Sequence, residues 1–262
     1  VSRPFNLKIY VLIVCALSWP FQIAYMILGP TTRPILLISM IMVTVATFIC
    51  GKYVFRDGFS QVGWRWGRPK YYILAFALAL FLWAVPIILE VITGVHVPTE
   101  HISVTSIVTA FLTSFMITLL PAFGEEFGWR GYMLPRLLER YSQRKALLLH
   151  GFVTWFWHLP FIFVMGREMA GNLWISIPLV ILISLIPTVM HAIVFAYFWS
   201  VSGSIAVSTV YHAAFDEVRD ALESKVGFGP LVEPWQMISL IIFGGILLWK
   251  VAWLKVTKGE NK

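Results

Sequence analysis

The residues able to do chemistry stand within or beside long apolar runs: Glu125, Glu126 and Arg130 in "PAFGEEFGWRGYMLPRLLER", His158 in "GFVTWFWHLPF", and His212 and Asp216 in "SIAVSTVYHAAFDEVRDAL". A carboxylate at membrane depth is costly, and its presence there marks a functional site by default. Glu126 and Arg130 are spaced i, i+4 with the acid N-terminal to the base, which is the favourable order on one helix face, and a buried guanidinium requires such a carboxylate. Glu125 points about 100° away around the helix. It is left free, and a carboxylate in a partly dry cavity is available as a general base. The plainer alternative is a helix-end ion pair with a spare solvated acid. His212 and Asp216 repeat the i, i+4 spacing. The acid can orient the imidazole, and either residue, as a donor, can face an oxyanion. The alternative for this pair is a polar network that locks helix packing.

Depth argues for the functional reading. If the helix carrying Glu125 runs to Leu134, before the breaker Pro135, Glu125 lies ~14 Å above its end; His158 lies ~18 Å and His212 ~14 Å inside their own helices. Three helices thereby bring one glutamate and two histidines to a common level. Pro160 frees the Phe156 carbonyl and kinks the chain just past His158, and kinks beside polar residues often line cavities. The other ionisable residues receive structural roles. His191, with Pro187 four residues before it, lines a cavity or makes a hydrogen bond. His150 sits near the cytoplasmic interface, His96 and His101 flank an external joint, and Glu90 snorkels from a helix end.

The elements that position these residues follow from composition. Of 262 residues 59% are hydrophobic and 13% charged, with a mean hydropathy of +0.80, whereas soluble domains carry about 25% charged residues. Spans of ~20 apolar residues are needed to cross ~30 Å of hydrocarbon, and eight are read here, over 8–29, 34–54, 71–94, 104–124, 145–166, 173–200, 203–222 and 234–256. The runs are continuous and not alternating, which excludes a barrel. The expected fold is therefore all-α: a polytopic membrane bundle of about eight helices around a polar cavity. The seventh span is polar along much of its length and must face the interior.

The chain divides into N-terminal helices over 1–103, with a basic joint at 52–70; a core over 104–222; and a last helix with a basic tail over 223–262. Trp64 and Trp66 among arginines suit the joint to the membrane interface. The net charge of +7 lies in the joints and calls for lipid, not nucleic acid. With eight spans, sixteen of the 20 lysines and arginines share the side of both termini, leaving Arg33, Arg167, Arg219 and Lys225 opposite. By the positive-inside rule both termini are cytoplasmic. Cys15 and Cys50 are too few for a disulfide framework and read as buried thiols. The first run lacks a small-residue cleavage site and reads as a retained helix.

Glu125-Glu126-x-x-x-Arg130, His158 in "WFWHLP" and His212-x-x-x-Asp216 resemble the three polar motifs of the CPBP family of intramembrane proteases, which comprises type II CAAX prenyl proteases and bacteriocin-processing and self-immunity proteins. The resemblance covers residues 104 to 220 in order and spacing. It implies an endopeptidase in which Glu125 activates water with help from His158, Glu126 and Arg130 hold the helix, and His212 and Asp216 face the oxyanion. The sequence departs from the pattern at Thr154, where Phe is usual, and at Asp216, where the prenyl proteases have Asn. No cofactor is required on this reading. A divalent metal such as zinc is the alternative, with Glu125, His158 and His212 as its ligands. The partners expected are the lipid bilayer and a peptide or lipidated-protein substrate entering from the cytoplasmic side, in a multi-pass protein of a prokaryotic plasma membrane. The competing expectations are a proton-coupled carrier, since Glu, His and Asp at the midplane also build proton relays, and a catalytically silent peptide-binding immunity or scaffold protein.

Overall fold

The computed structural model describes residues 3–29, 32, 34–98, 102–168 and 172–254. Arg33, His101 and the tail lysines Lys255, Lys258 and Lys262 lie outside the described residues. All described secondary structure is helical. The elements are α1 (Leu7–Leu28), α2 (Pro34–Ile49, prolonged by a π-helical turn Cys50–Val54), α3 (Pro69–Thr93), α4 (Val104–Glu126), a π-helical segment Phe127–Met133, α5 (Leu134–Leu138), α6 (Gln143–Trp157), α7 (Leu159–Glu168), α8 (Leu173–Ser202), α9 (Ile205–Lys225) and α10 (Val232–Trp249). A helix or helix pair stands in each of the eight expected spans, but α10 ends at Trp249, short of the expected 256. Among the described residues six helices are long and apolar enough to cross a membrane, and α6 with α7, bent by 55°, makes a seventh. The eighth, α9, is too polar for that test. It is the buried centre of the bundle instead, packed against α3, α4 and α8.

Two features shape the helix that carries the glutamates. Gly124 and Gly128 let α2 approach closely, because a Cβ at Gly124 would meet the Met40 carbonyl at 3.0 Å and one at Gly128 would meet Val43 Cγ1 at 2.4 Å. Small residues four apart are the usual means of bringing membrane helices together, and here they turn the intervening glutamates away from α2. Second, the helix does not stop before Pro135. It passes through the π-helical segment and re-enters α geometry with Pro135 in the first turn of α5. The helix therefore ends at Leu138, four residues past the expected Leu134.

The basic joint is more than an interfacial strap. Trp64 and Trp66 are exposed, as rings at headgroup depth should be, but Phe55 and Val62 are buried. The joint is stitched to the core: Trp199 Nε1 donates to the Val62 carbonyl at 2.9 Å, the Ile205 amide to the Gly63 carbonyl at 2.9 Å, and Ser204 Oγ to the Arg65 carbonyl. At the other end of the bundle Glu90 does not snorkel. It is fully buried, and its carboxylate accepts the amides of Gly229 at 3.0 Å and Leu231 at 2.5 Å, capping the turn before α10. Cys15 and Cys50 are buried free thiols, and His96 bonds the Val226 carbonyl at 2.8 Å.

Candidate active site

The site is built where α4, the π-helical segment, α6, α8 and α9 meet. Glu126 is its hub. Arg130 Nη1 donates to Glu126 Oε1 at 2.8 Å, the pairing expected from i, i+4 spacing. Two further partners come from α9: His212 Nδ1 stands 2.9 Å from the same oxygen, and Ser208 Oγ donates to Oε2. Glu126 therefore does more than hold its own helix, and this corrects the sequence reading, which gave His212 to Asp216 alone. Ser208 and His212 are one helical turn apart, so a single face of α9 docks on one carboxylate.

His212 is flanked by a second carboxylate, with Nε2 3.5 Å from Asp216 Oδ2. Each ring nitrogen thus faces a carboxylate oxygen. The 3.5 Å separation at Nε2 is too long for a good hydrogen bond, so that nitrogen stays open to another partner. Asp216 is held from its other side by Arg219 at 3.4 Å. The sequence reading had placed Arg219 among the charges of a joint; its i, i+3 spacing from Asp216 was the signal.

Glu125 is buried, 3% exposed, but not wholly free as expected: Trp129 Nε1 donates to Oε2 at 3.1 Å. No hydrogen bond or ion pair engages Oε1 among the described residues. One oxygen is fixed and the other is open, an arrangement that orients a carboxylate without occupying it. His158 caps α6 at the 55° bend, as Pro160 required. Its Nδ1 lies 2.8 Å from the Thr154 carbonyl. A carbonyl only accepts, so Nδ1 carries the proton and Nε2 presents a lone pair. Residue 154 thus contributes its backbone, and its departure from Phe leaves this bond intact. Helix α1 braces the bend, with Trp157 Nε1 donating to Ser18 Oγ at 2.5 Å and Trp19 Nε1 to the Trp157 carbonyl at 3.0 Å.

Aromatic rings connect these groups. Trp129, which holds Glu125, meets Trp157 edge-on at 5.8 Å, and Trp157 meets His158 edge-on at 4.7 Å. Phe195 of α8 lies under the Arg130 guanidinium at 4.1 Å, beside the His212 ring at 5.1 Å and the His191 ring at 4.5 Å. His191 makes the hydrogen bond expected of it, to Tyr211 at 3.0 Å. His150 lies inside the bundle. It is fully buried by neighbouring helices, and among the described residues both ring nitrogens lack partners, as does Arg130 Nε.

The structure thus joins Glu126, Arg130, His212 and Asp216 by direct contacts and places Glu125 on the adjoining turn of the same helix. No hydrogen bond links His158 to Glu125 or His212 among the described residues. No group of three or more His, Cys, Asp or Glu among the described residues is gathered so as to hold a metal ion. Glu125, His158 and His212 are thus not gathered as a set of three ligands among the described residues.

Residues 105–218, which carry Glu125, Glu126, Arg130, His158, His212 and Asp216, match the family described as type II CAAX prenyl endopeptidase Rce1-like. That segment is similar to this family. A segment of 56 residues is 46% identical to a protein named CAAX prenyl protease 2 from Methanococcus maripaludis, covering 21% of this chain and 21% of that relative. The match to this curated relative thus spans about a fifth of its length.

Proposed function

We propose that the protein is an intramembrane endopeptidase of the CAAX-protease kind, which hydrolyses a C-terminal or membrane-associated peptide with water activated by Glu125 and His158. The observation that carries this reading is the contrast between the two adjacent carboxylates: Glu126 is occupied at both oxygens, while Glu125 is fixed by Trp129 at one oxygen and open at the other.

In this mechanism Glu125 Oε1 takes a proton from a water molecule, with the His158 Nε2 lone pair accepting the water's second hydrogen bond and aligning it. The oxygen attacks the scissile carbonyl carbon, and the carbonyl π-electrons pass to its oxygen. That oxyanion receives the Nε2–H of His212, whose cationic side is balanced by Glu126 and Asp216. On collapse the C–N bond breaks, and the proton held by Glu125 passes to the departing amine. A positioned general base contributes ~10²–10⁴-fold and an oxyanion donor ~10²–10³-fold, so the two groups account for a large share of the acceleration. The substrate enters from the cytoplasmic side, where the basic residues are concentrated. Asp216, near Nε2 and itself paired with Arg219, acts on His212 through its charge and not as a hydrogen-bond acceptor.

The test is cleavage of farnesylated and unmodified C-terminal peptides by detergent-purified protein, read by mass spectrometry, with Glu125→Ala as control and a chelator arm. Glu125-dependent cleavage that survives the chelator is expected. Chelator-sensitive cleavage would overturn the metal-free part of the mechanism. Proton flux without cleavage would favour the carrier, and folded protein that binds peptide without cutting it would favour the silent scaffold.

A further inference from the structure

Away from the site, a groove of about 660 Å³ runs between α6 and α8. Its walls are apolar, with Leu148 and Phe152 on α6 facing Leu185 and Val189 on α8, while Ser142, Arg144 and Lys145 stand at one end. From Ser142 to Phe152 the groove follows α6 for about 15 Å, which is half of a ~30 Å hydrocarbon core and so the depth of one leaflet. An apolar trough one leaflet deep with cations at its mouth has the shape and polarity of a phospholipid.

The charge at the mouth selects among phospholipids. Lys145 is exposed, its ammonium lies 4.8 Å from the Tyr141 ring, and no carboxylate pairs with it among the described residues. Arg144 spends Nε and Nη2 on the Leu248 and Trp249 carbonyls at the end of α10, at 3.2 and 3.0 Å, which fixes its positive charge at the rim. Gln143 holds the Leu254 carbonyl at 3.2 Å, so the chain leaves the described residues beside this mouth, with Lys255 next in sequence. The tail 255–262 contains three lysines and one large apolar residue, Val256. It suits neither the apolar walls nor the basic rim as an occupant.

We propose that this groove is a binding site for one anionic phospholipid, its acyl chain along Leu148, Phe152, Leu185 and Val189 and its phosphate at Lys145 and Arg144. The site is separate from the candidate active site and does not depend on the protease reading. A basic residue at the surface contributes about fivefold to anionic-lipid affinity.

Native mass spectrometry of delipidated protein offered equimolar phosphatidylglycerol and phosphatidylcholine of matched chains tests this. Wild type should retain phosphatidylglycerol about fivefold or more in preference. Lys145→Glu should abolish the preference while eluting as a folded, monodisperse protein, and Leu185→Trp, which fills the groove, should lower retention of both lipids. Equal preference in wild type and Lys145→Glu would overturn the proposal, as would retention unaffected by Leu185→Trp. Displacement of phosphatidylglycerol one-for-one by a farnesylated peptide would overturn it in favour of a substrate groove.

Discussion

One continuous helix carries two buried arginines six residues apart in sequence, and each meets a carboxylate. Every guanidinium nitrogen of Arg136 has an acceptor: Nε donates to Asp57 at 2.6 Å, Nη1 to the Tyr132 carbonyl and Nη2 to the Gly58 carbonyl, both at 2.8 Å, and the guanidinium lies 3.5 Å over the Tyr132 ring. Asp57 is completed by the Tyr132 hydroxyl at 2.8 Å. Arg130 donates to Glu126, rests on Phe195 and leaves Nε without a partner, while Glu126 serves residues of a second helix. Burial of an arginine–carboxylate pair is common to both and does not separate architecture from chemistry. What separates them is closure: the first cluster satisfies itself, and the second hands its charge on to His212 and Asp216.

The comparison can be broken most forcefully at Glu126. Glu126→Ala strands the Arg130 guanidinium and the His212 ring together. A loss of ~3–5 kcal/mol in stability is expected from thermal unfolding in detergent, along with loss of cleavage. Glu125→Gln sharpens the contrast, because it keeps the Trp129 contact: cleavage should fall ~10²–10⁴-fold, with unfolding moved by less than about 1 kcal/mol, since no buried charge is stranded. A Glu125→Gln protein that cleaves normally would remove the base from the mechanism. At the closed cluster, Asp57→Asn should cost ~1–3 kcal/mol of stability, while the cleavage rate per folded molecule, measured by active-fraction titration, stays within about twofold of wild type. Arg136→Lys loses the forked donors and the ring contact together, for about 1 kcal/mol. His150→Leu should have the smallest effect, neutral or stabilising by up to ~1 kcal/mol in the same unfolding assay, because the ring it removes has no hydrogen-bond partner to lose.

The helix pattern was legible because it depends on runs and breakers. Eight segments followed from hydropathy, the bend at His158 from Pro160, and the Glu126–Arg130 bond from i, i+4 spacing. The inward position of α9 followed from its polarity. Contacts between helices were not legible. Nothing in local spacing says that Ser208 and His212 reach Glu126 across 82 and 86 residues, or that Glu90 caps a turn 139 residues away. Such pairings depend on helix rotation and offset, which a residue's sequence neighbours do not encode. The burial of His150 was hidden for the same reason: depth along α6 can be counted, but the covering by neighbouring helices cannot. The π-helical segment left no side-chain signature, because it is a change in backbone pairing.

That segment has a consequence for indels. A π-turn holds about one residue more than the α-turn it replaces, so Phe127–Met133 can absorb a change of length. Removing one residue from it would let the backbone relax to α geometry with the phase beyond nearly kept, so Arg136 would still face Asp57. Removing one from the regular α-helix on either side would instead turn the two ends by about 100° relative to each other. The carboxylates and the Arg136 anchor thus sit on one rod whose middle tolerates a missing residue and whose ends do not.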